Sequence, residues 1–307
     1  MSKELEKSID WKKIYEYTEA NTGIILNKYK KKDTEVIVPC EIDGKPVIAI
    51  DREAFKKKKI TSIQIPETVR LIGVDAFLCC EELETLEIMN PNVEIKRGAF
   101  YDCKKLADEN GFIIVDHILF RYIGTEEEVT VPDDVRVISS AAFEMNKTLK
   151  TITIPESVEK IEINAFYGCR KLEKIDISLA HTHLDISAID HCKKLADKDK
   201  HVIIDHVYFS YLGDKSHIVV PSGVTSIEKY AFSWNSGITS IEIPEGVTTL
   251  NSTAFYLNNL EKVVLPTSIT TIHPYAFLDC PKLMLYVHEG SYSETFAKEK
   301  NIPYTTL

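Results

Sequence analysis

The side chains of this chain that could do chemistry fall into two patterns. The string HTHLDISAIDHC carries His181, His183, His191 and Cys192, and imidazole with thiolate is a zinc-ligating set. Their spacing fits no strong zinc pattern, so they are expected as surface histidines on a slightly irregular segment. The other pattern occurs twice, as Asp116-His117 and Asp205-His206. A carboxylate beside an imidazole is what a general base and its orienting acid would need. Adjacent residues in a tight turn point apart, however, and no nucleophile recurs beside them. There is no G-x-S-x-G, no phosphate-cradling glycine loop and no His-Glu-x-x-His. The reading is therefore of a chain that is not an enzyme, with no catalytic residue, no metal and no cofactor. The duplication itself becomes the informative fact.

The elements that must carry these residues are repeats. The strings IQIPETVRLIGVDAF (63–77), ITIPESVEKIEINAF (152–166) and IEIPEGVTTLNSTAF (241–255) place Pro66, Pro155 and Pro244 at intervals of 89 residues. Self-similarity at a fixed period marks a stacked, quasi-one-dimensional architecture. Each unit has apolar residues at alternating strand positions, then a proline that cannot extend a ladder, then an Ala-Phe pair to fill one slice of core. The pair recurs at Phe55, Phe77, Phe100, Phe143, Phe166, Phe232, Phe255 and Phe277, with Ile189 replacing Phe in a ninth copy. Three residues on stand Lys58, Cys80, Cys103, Asn146, Cys169, Cys192, Asn235, Asn258 and Cys280. Such a ladder of Cys and Asn is expected to pair backbone groups of buried turns and not to form disulfides. Asn146 and Asn251 also begin glycosylation-type triplets, read as chance matches.

Two further segments match at the same spacing, FIIVDHILFRYIG (112–124) and HVIIDHVYFSYLG (201–213). Apolar alternation on both sides of Asp-His predicts a hairpin turning at Asp116-His117 and at Asp205-His206. The 89 residues then divide into four coils of roughly 22 residues, each hairpin coil preceding three Ala-Phe coils. Super-repeats at about 24–106, 107–195 and 196–283 give about twelve coils in all.

The combination of strand, Pro, Val, Ile, Ala-Phe and Cys resembles the leucine-rich repeats of the BspA-like bacterial surface proteins. That resemblance implies a right-handed, gently curved, mostly β solenoid with little helix, in one domain spanning 1–307. Within it, 1–35 reads as an N-terminal hairpin cap, 36–283 as the repeats and 284–307 as a closing cap. Asp43-Gly44 is the expected turn at the entry, and a short helix near Ser293–Lys300 followed by a strand is expected at the end. The resemblance also implies adhesion to host, matrix or other cell-surface proteins.

The chain has 37 Lys and Arg against 47 Asp and Glu, a net charge of −10, which argues against nucleic acid as a partner. Residues 1–60 nevertheless hold 14 basic and 11 acidic side chains, including Lys56 to Lys59, so the basic charge gathers at one end. No stretch reaches the length of a membrane helix and the start lacks the apolar core of a secretory signal. The expectation is a cytoplasmic protein, or a cell-surface or secreted one if Met1 is not the natural start, with a monomer favoured. In a stacked sheet the side chains between buried positions face solvent. These are Gln64, Glu87, Thr130, Thr153, Asp176, Val219, Glu242 and Val264, with Thr151, Lys174 and His217 two positions earlier. This row is the expected site for a protein partner. Tyr101, Tyr167, Tyr256 and Trp234 mark a second surface at the Ala-Phe edge. The alternative function is an intracellular scaffold using the same face.

Overall fold

Each coil follows from the chemistry of its string. In the computed structural model, which describes residues 9–233, 235–256 and 259–307, strand Ser62–Ile65 buries Ile63 and Ile65 and turns Ser62 and Gln64 outward. Pro66 ends it, and the Pro66 carbonyl accepts the Val69 N–H at 3.2 Å to close a turn. The short strand Leu71–Ile72 follows, and then a second turn that buries Ala76 and Phe77 completely. That turn needs a left-handed residue on each side of the pair, Asp75 at φ 55° and Cys79 at φ 58°. Asp, Asn and Gly enter this region at least cost, and they hold several of the equivalent positions (Gly98, Asp102, Asn164, Gly168).

Stacking repeats three ladders. The strands pair in parallel with their counterparts one coil on, as in Glu128–Thr130 with Thr151–Thr153 with Lys174–Asp176. At the Ala-Phe edge within a segment, the Phe N–H donates to the Ala carbonyl of the next coil, as Phe77 does to Ala99 and Phe143 to Ala165. Inside, the rings form a column: Tyr29, Phe55, Phe77 and Phe100 stack at centroid distances of 5.1, 5.0 and 5.2 Å. Offset ring stacks of this kind add to the burial of large apolar area.

The Cys/Asn ladder is present, and Asn at two of its rungs has a cause. Cys80, Cys103, Cys169, Cys192 and Cys280 each donate a thiol hydrogen to the Phe carbonyl one coil back, at 3.0 to 3.2 Å. Asn146 and Asn235 follow a hairpin, where the carbonyl to be met lies farther off. Their amides reach Gly124 at 3.4 Å and Gly213 at 3.2 Å, the second residue after Tyr122 and Tyr211. Lys58 likewise reaches the Lys31 carbonyl, two residues after Tyr29. Asn258 lies outside the described residues. All seven cysteines are free.

Both internal hairpins form as the spacing predicts. Phe112–Val115 pairs antiparallel with Ile118–Tyr122, and His201–Ile204 with Val207–Tyr211. Asp116 and His117 (φ 49° and 61°) and Asp205 and His206 (φ 44° and 64°) form two-residue turns of the kind that suits strand twist. A third hairpin opens the chain, Tyr15–Ala20 with Gly23–Tyr29, inside the segment 1–35 read as a hairpin cap. Asp43-Gly44 is a turn as expected, in a separate, smaller antiparallel pair, Glu41–Ile42 with Lys45–Pro46. Tyr29, Tyr122 and Tyr211 take the place of Phe in these coils, donating their N–H to Ala54, Ala142 and Ala231. The result is a β solenoid of about 12 turns with little helix.

The hairpins also divide the array. Among the described residues, no strand pairing joins Thr85–Ile88 to Glu128–Thr130, or Lys174–Asp176 to His217–Val219. Each break, or seam, holds a 3₁₀ turn at the same period, Lys104–Leu106 and Lys193–Leu195, and the second holds another at Ile186–Ile189. The buried side chains accordingly fall into three clusters that meet at the hairpins. The last cluster is closed by helix Tyr292–Lys300. Ser291 caps its N-terminus by accepting from Glu294, whose carboxylate accepts from Gly290. Asn301 ends the helix at φ 55°, and strand Tyr304–Thr306 pairs with Met284–Val287. No described helix is long and apolar enough to cross a membrane.

Candidate protein-binding face

The long strands carry the predicted surface row. Gln64 stands beside Glu87, Thr130 beside Thr153 and Asp176, and Val219 beside Glu242 and Val264. One row over, Thr151 aligns with Lys174, and His217 with Ser240 and Lys262. Parallel in-register pairing brings these side chains together because like positions of successive coils sit one strand spacing apart. All eleven residues are exposed or half-buried, while their neighbours along each strand are mostly buried.

The row differs between segments. In the first, the Gln64 amide donates to Glu87 at 2.8 Å. In the second, Lys174 pairs with Asp176 at 3.1 Å, in register with Thr151 and Thr153. In the third, Val219 is 55% exposed and the row runs on to Tyr286, over whose ring the Lys262 ammonium lies at 4.6 Å. His217 reaches Ser240 at 3.2 Å and Glu242 at 3.8 Å there. Two members of the row were missed in the sequence. Ile37, 66% exposed and aligned with Gln64, sits in EVIVP, a strand-Pro string whose signal was present. Tyr286 lies in the segment 284–307 read as the closing cap, although its strand pairs in register with Lys262–Val264.

At the margin of this face, ion pairs step from coil to coil: Lys105 with Glu84, Lys150 with Glu127 and Lys194 with Glu173, each at 2.6 Å. The lysines hold the carboxyls of Glu127 and Glu173 below the usual carboxylate range. All six side chains are about half exposed, so solvent screens each pair, and the pairs order the margin more than they stabilise the fold.

The residues that suggested chemistry sit elsewhere. His181, His183 and His191 are exposed, and Cys192 is a buried rung. Among the described residues no group of three or more His, Cys, Asp or Glu could hold a metal ion. In the hairpin turns, the His117 ring meets the Asp134 carbonyl at 2.8 Å and the His206 ring meets Gly223 at 3.0 Å. Each imidazole thus bridges to the next coil, away from the aspartate beside it. Asn146 Oδ1 accepts from the N–H groups of Thr148 and Leu149, which commits its side chain to the turn. At the Ala-Phe edge, Tyr101 lies under the Arg121 guanidinium at 4.6 Å and Tyr167 meets the His191 ring at 4.9 Å. Trp234 lies outside the described residues, and Tyr256 is half-buried.

Solved structures similar to this chain are repeat proteins. A leucine rich cell surface protein from Faecalibacterium prausnitzii is 23% identical over 92% of this chain and 95% of its own, with a TM-score of 0.41. A leucine-rich repeat protein from Bacteroides ovatus is 22% identical over 95% of this chain and 74% of its own, at 0.43. The T. pallidum leucine-rich repeat protein is 25% identical over 60% of this chain and 89% of its own, at 0.41. No curated protein matches. The BspA-type leucine-rich repeat region matches residues 41–110, 113–199 and 202–297 in six copies, and the breaks between the three matched stretches fall at the two internal hairpins. The chain belongs to the BspA-type leucine-rich repeat family.

Proposed function

We propose that this chain is a non-enzymatic binding module that holds a protein of a host, a matrix or another cell surface on the outward rows of its long strands. The observation that carries the reading is the division of labour within one strand. Inward positions repeat Ile, Val and Leu, whereas outward positions in register with them change from Gln and Glu through Thr and Asp to Val and Tyr. A rigid ladder with a varied outer row presents a wide, preformed surface, and binding on it orders few side chains. The family supports a repeat scaffold built for binding.

The test is capture of partners from extracellular matrix and from host-cell surface extracts by the purified chain. The triple variant Thr153→Ala/Asp176→Ala/Val219→Ala is expected to lose capture by about tenfold or more, as expected when central interface contacts are removed, with its melting temperature unchanged. Undiminished capture by the triple variant would overturn the assignment of this face. Fractionation of the native cells tests the setting: protein confined to the cytosol excludes adhesion.

A further inference from the structure

The two seams are built on residues 89 apart, yet only the first is plugged. There Phe100 is fully buried, stacked on Phe77 at 5.2 Å and edge-on to Phe120 at 5.4 Å. Arg121 closes the outside, its guanidinium over Tyr101 and hydrogen-bonded to the Ala141 carbonyl at 2.6 Å. In the second seam the period puts Ile189 in place of Phe100, Ser210 in place of Arg121 and Asp190 in place of Tyr101. The ring column stops: Phe166 stacks on Phe143 at 5.2 Å, and among the described residues no ring meets Phe209, the counterpart of Phe120. A cleft of about 610 Å³ remains, floored by Ile189, Leu195, Val202 and Phe209. Its size lies in the range of ligand pockets.

The mouth has changed charge as well. In the first seam Lys104 is paired with Glu81 at 3.8 Å and Asp102 at 3.6 Å. In the second, Lys193 has Arg170 and His191 at those positions, and among the described residues no acid lies within ion-pair distance of it. Lys229 replaces Ser140 and rests over the ring of Tyr230 at 4.8 Å, Tyr230 being 38% exposed where the first seam has Ala141. In a chain of net charge −10 this is a locally basic mouth. Among the residues lining the cleft Asp190 is the one acid, and burial raises its carboxyl above the usual carboxylate range.

We propose that the second seam is a socket for an aromatic side chain carried on an acidic segment of a protein partner. The partner's ring takes the place that the Phe100 phenyl fills in the first seam, and its flanking carboxylates meet Lys193 and Lys229. This rests on the reading of the chain as a protein-binding module and adds a second site with its own chemistry, off the strand face.

The probe is a fluorescein-labelled peptide, Glu-Asp-Phe-Asp-Glu, titrated by anisotropy against the same peptide with Ala in place of Phe. The Phe peptide is expected to bind about tenfold tighter, in keeping with burial of one ring. Ile189→Phe, which installs the first seam's own plug, should abolish that margin without lowering the melting temperature. Ser210→Arg should do so from the mouth, which keeps the test decisive if the first variant does not fold. Lys193→Glu should weaken both peptides by about fivefold at low salt and less at high salt. Equal binding of the two peptides, or a margin that survives both plugging variants, overturns the socket. The two sites are separable, because the strand-face triple variant keeps the peptide margin whatever happens to partner capture.

Discussion

The two internal hairpins share a backbone and differ inside. Phe112–Val115 with Ile118–Tyr122 and His201–Ile204 with Val207–Tyr211 have the same register, with a bulge at the same step. They have the same Asp-His turn and the same Asn rung in the coil that follows. At the core, though, Phe112 and Leu119 in one become His201 and Tyr208 in the other. The Phe112 ring lies against Tyr122 at 5.0 Å, whereas His201 Nδ1 and the Tyr208 hydroxyl form a hydrogen bond at 2.8 Å and both residues are buried. Positions that answer to the backbone are kept, since a left-handed turn or an unmet carbonyl admits few side chains. Core positions need volume and, where polar, a partner within the core. The second hairpin thereby acquires a titratable group that the first lacks.

The largest effect should separate the intact ring column from its gap. Phe166→Ala is expected to cost about 3–5 kcal/mol by urea denaturation, while Ile189→Ala, at a half-buried position beside the cleft, should cost under about 2 kcal/mol. Equal losses would mean that the second seam is packed as tightly as a coil interior. Next come the rungs. Asn146→Ala strands the Gly124 carbonyl and two turn N–H groups and should cost about 1–3 kcal/mol, against about 1 kcal/mol for Cys169→Ala, which removes one thiol bond.

The third prediction concerns pH. Burial lowers the pKa of His201 in the fold, aided by Lys215, while Asp197 and Asp199 act in the opposite sense. The unfolded chain, with an ordinary histidine value near 6.5, binds more protons than the fold as pH falls. The stabilisation from neutral His201 is therefore complete above that value and is lost as pH falls below it through the lower value that the fold imposes. Between pH 8 and 5 the urea midpoint should drop further for the natural chain than for His201→Phe, the side chain of the first hairpin. A matching pH response in both proteins would show that other groups govern it. The smallest effect belongs to the margin: Lys194→Ala should change stability by about 0.5 kcal/mol or less.

Much of this architecture is legible from single residues. Ala-Phe marked each coil because only a small and a large side chain together fill a slice, and Asp-His marked the hairpins because it repeated with the period. The outward row followed from strand alternation. What was not legible depends on pairing between coils. The breaks at the seams leave the 89-residue spacing untouched, so nothing in the period announces them. The hairpin cap within 1–35 and the turn at Asp43-Gly44 were both legible, but not that they belong to two separate antiparallel pairs, because the turn after Ala20 lies in the weak string ANTG. The reason for Asn at 146 and 235 appeared only with the extra reach to Gly124 and Gly213. The socket was hidden for the same reason: Ile189 read as a mild substitute for Phe until its neighbours across the seam were known.

The thiol rungs have a use that their structural role does not require. Cys80 and Cys103 lie in the first segment, Cys169 and Cys192 in the second and Cys280 in the third, with Cys40 exposed outside the ladder. A buried thiol can be alkylated only when its coil opens, so its labelling rate reports local unfolding at one known address. With Cys40 as the unprotected standard, mass spectrometry of labelled peptides can time the opening of the first and second segments separately, whose rungs are buried, whereas Cys280 in the third is only half-buried. The solenoid thus carries a set of internal clocks along its axis, and they need no engineered probe.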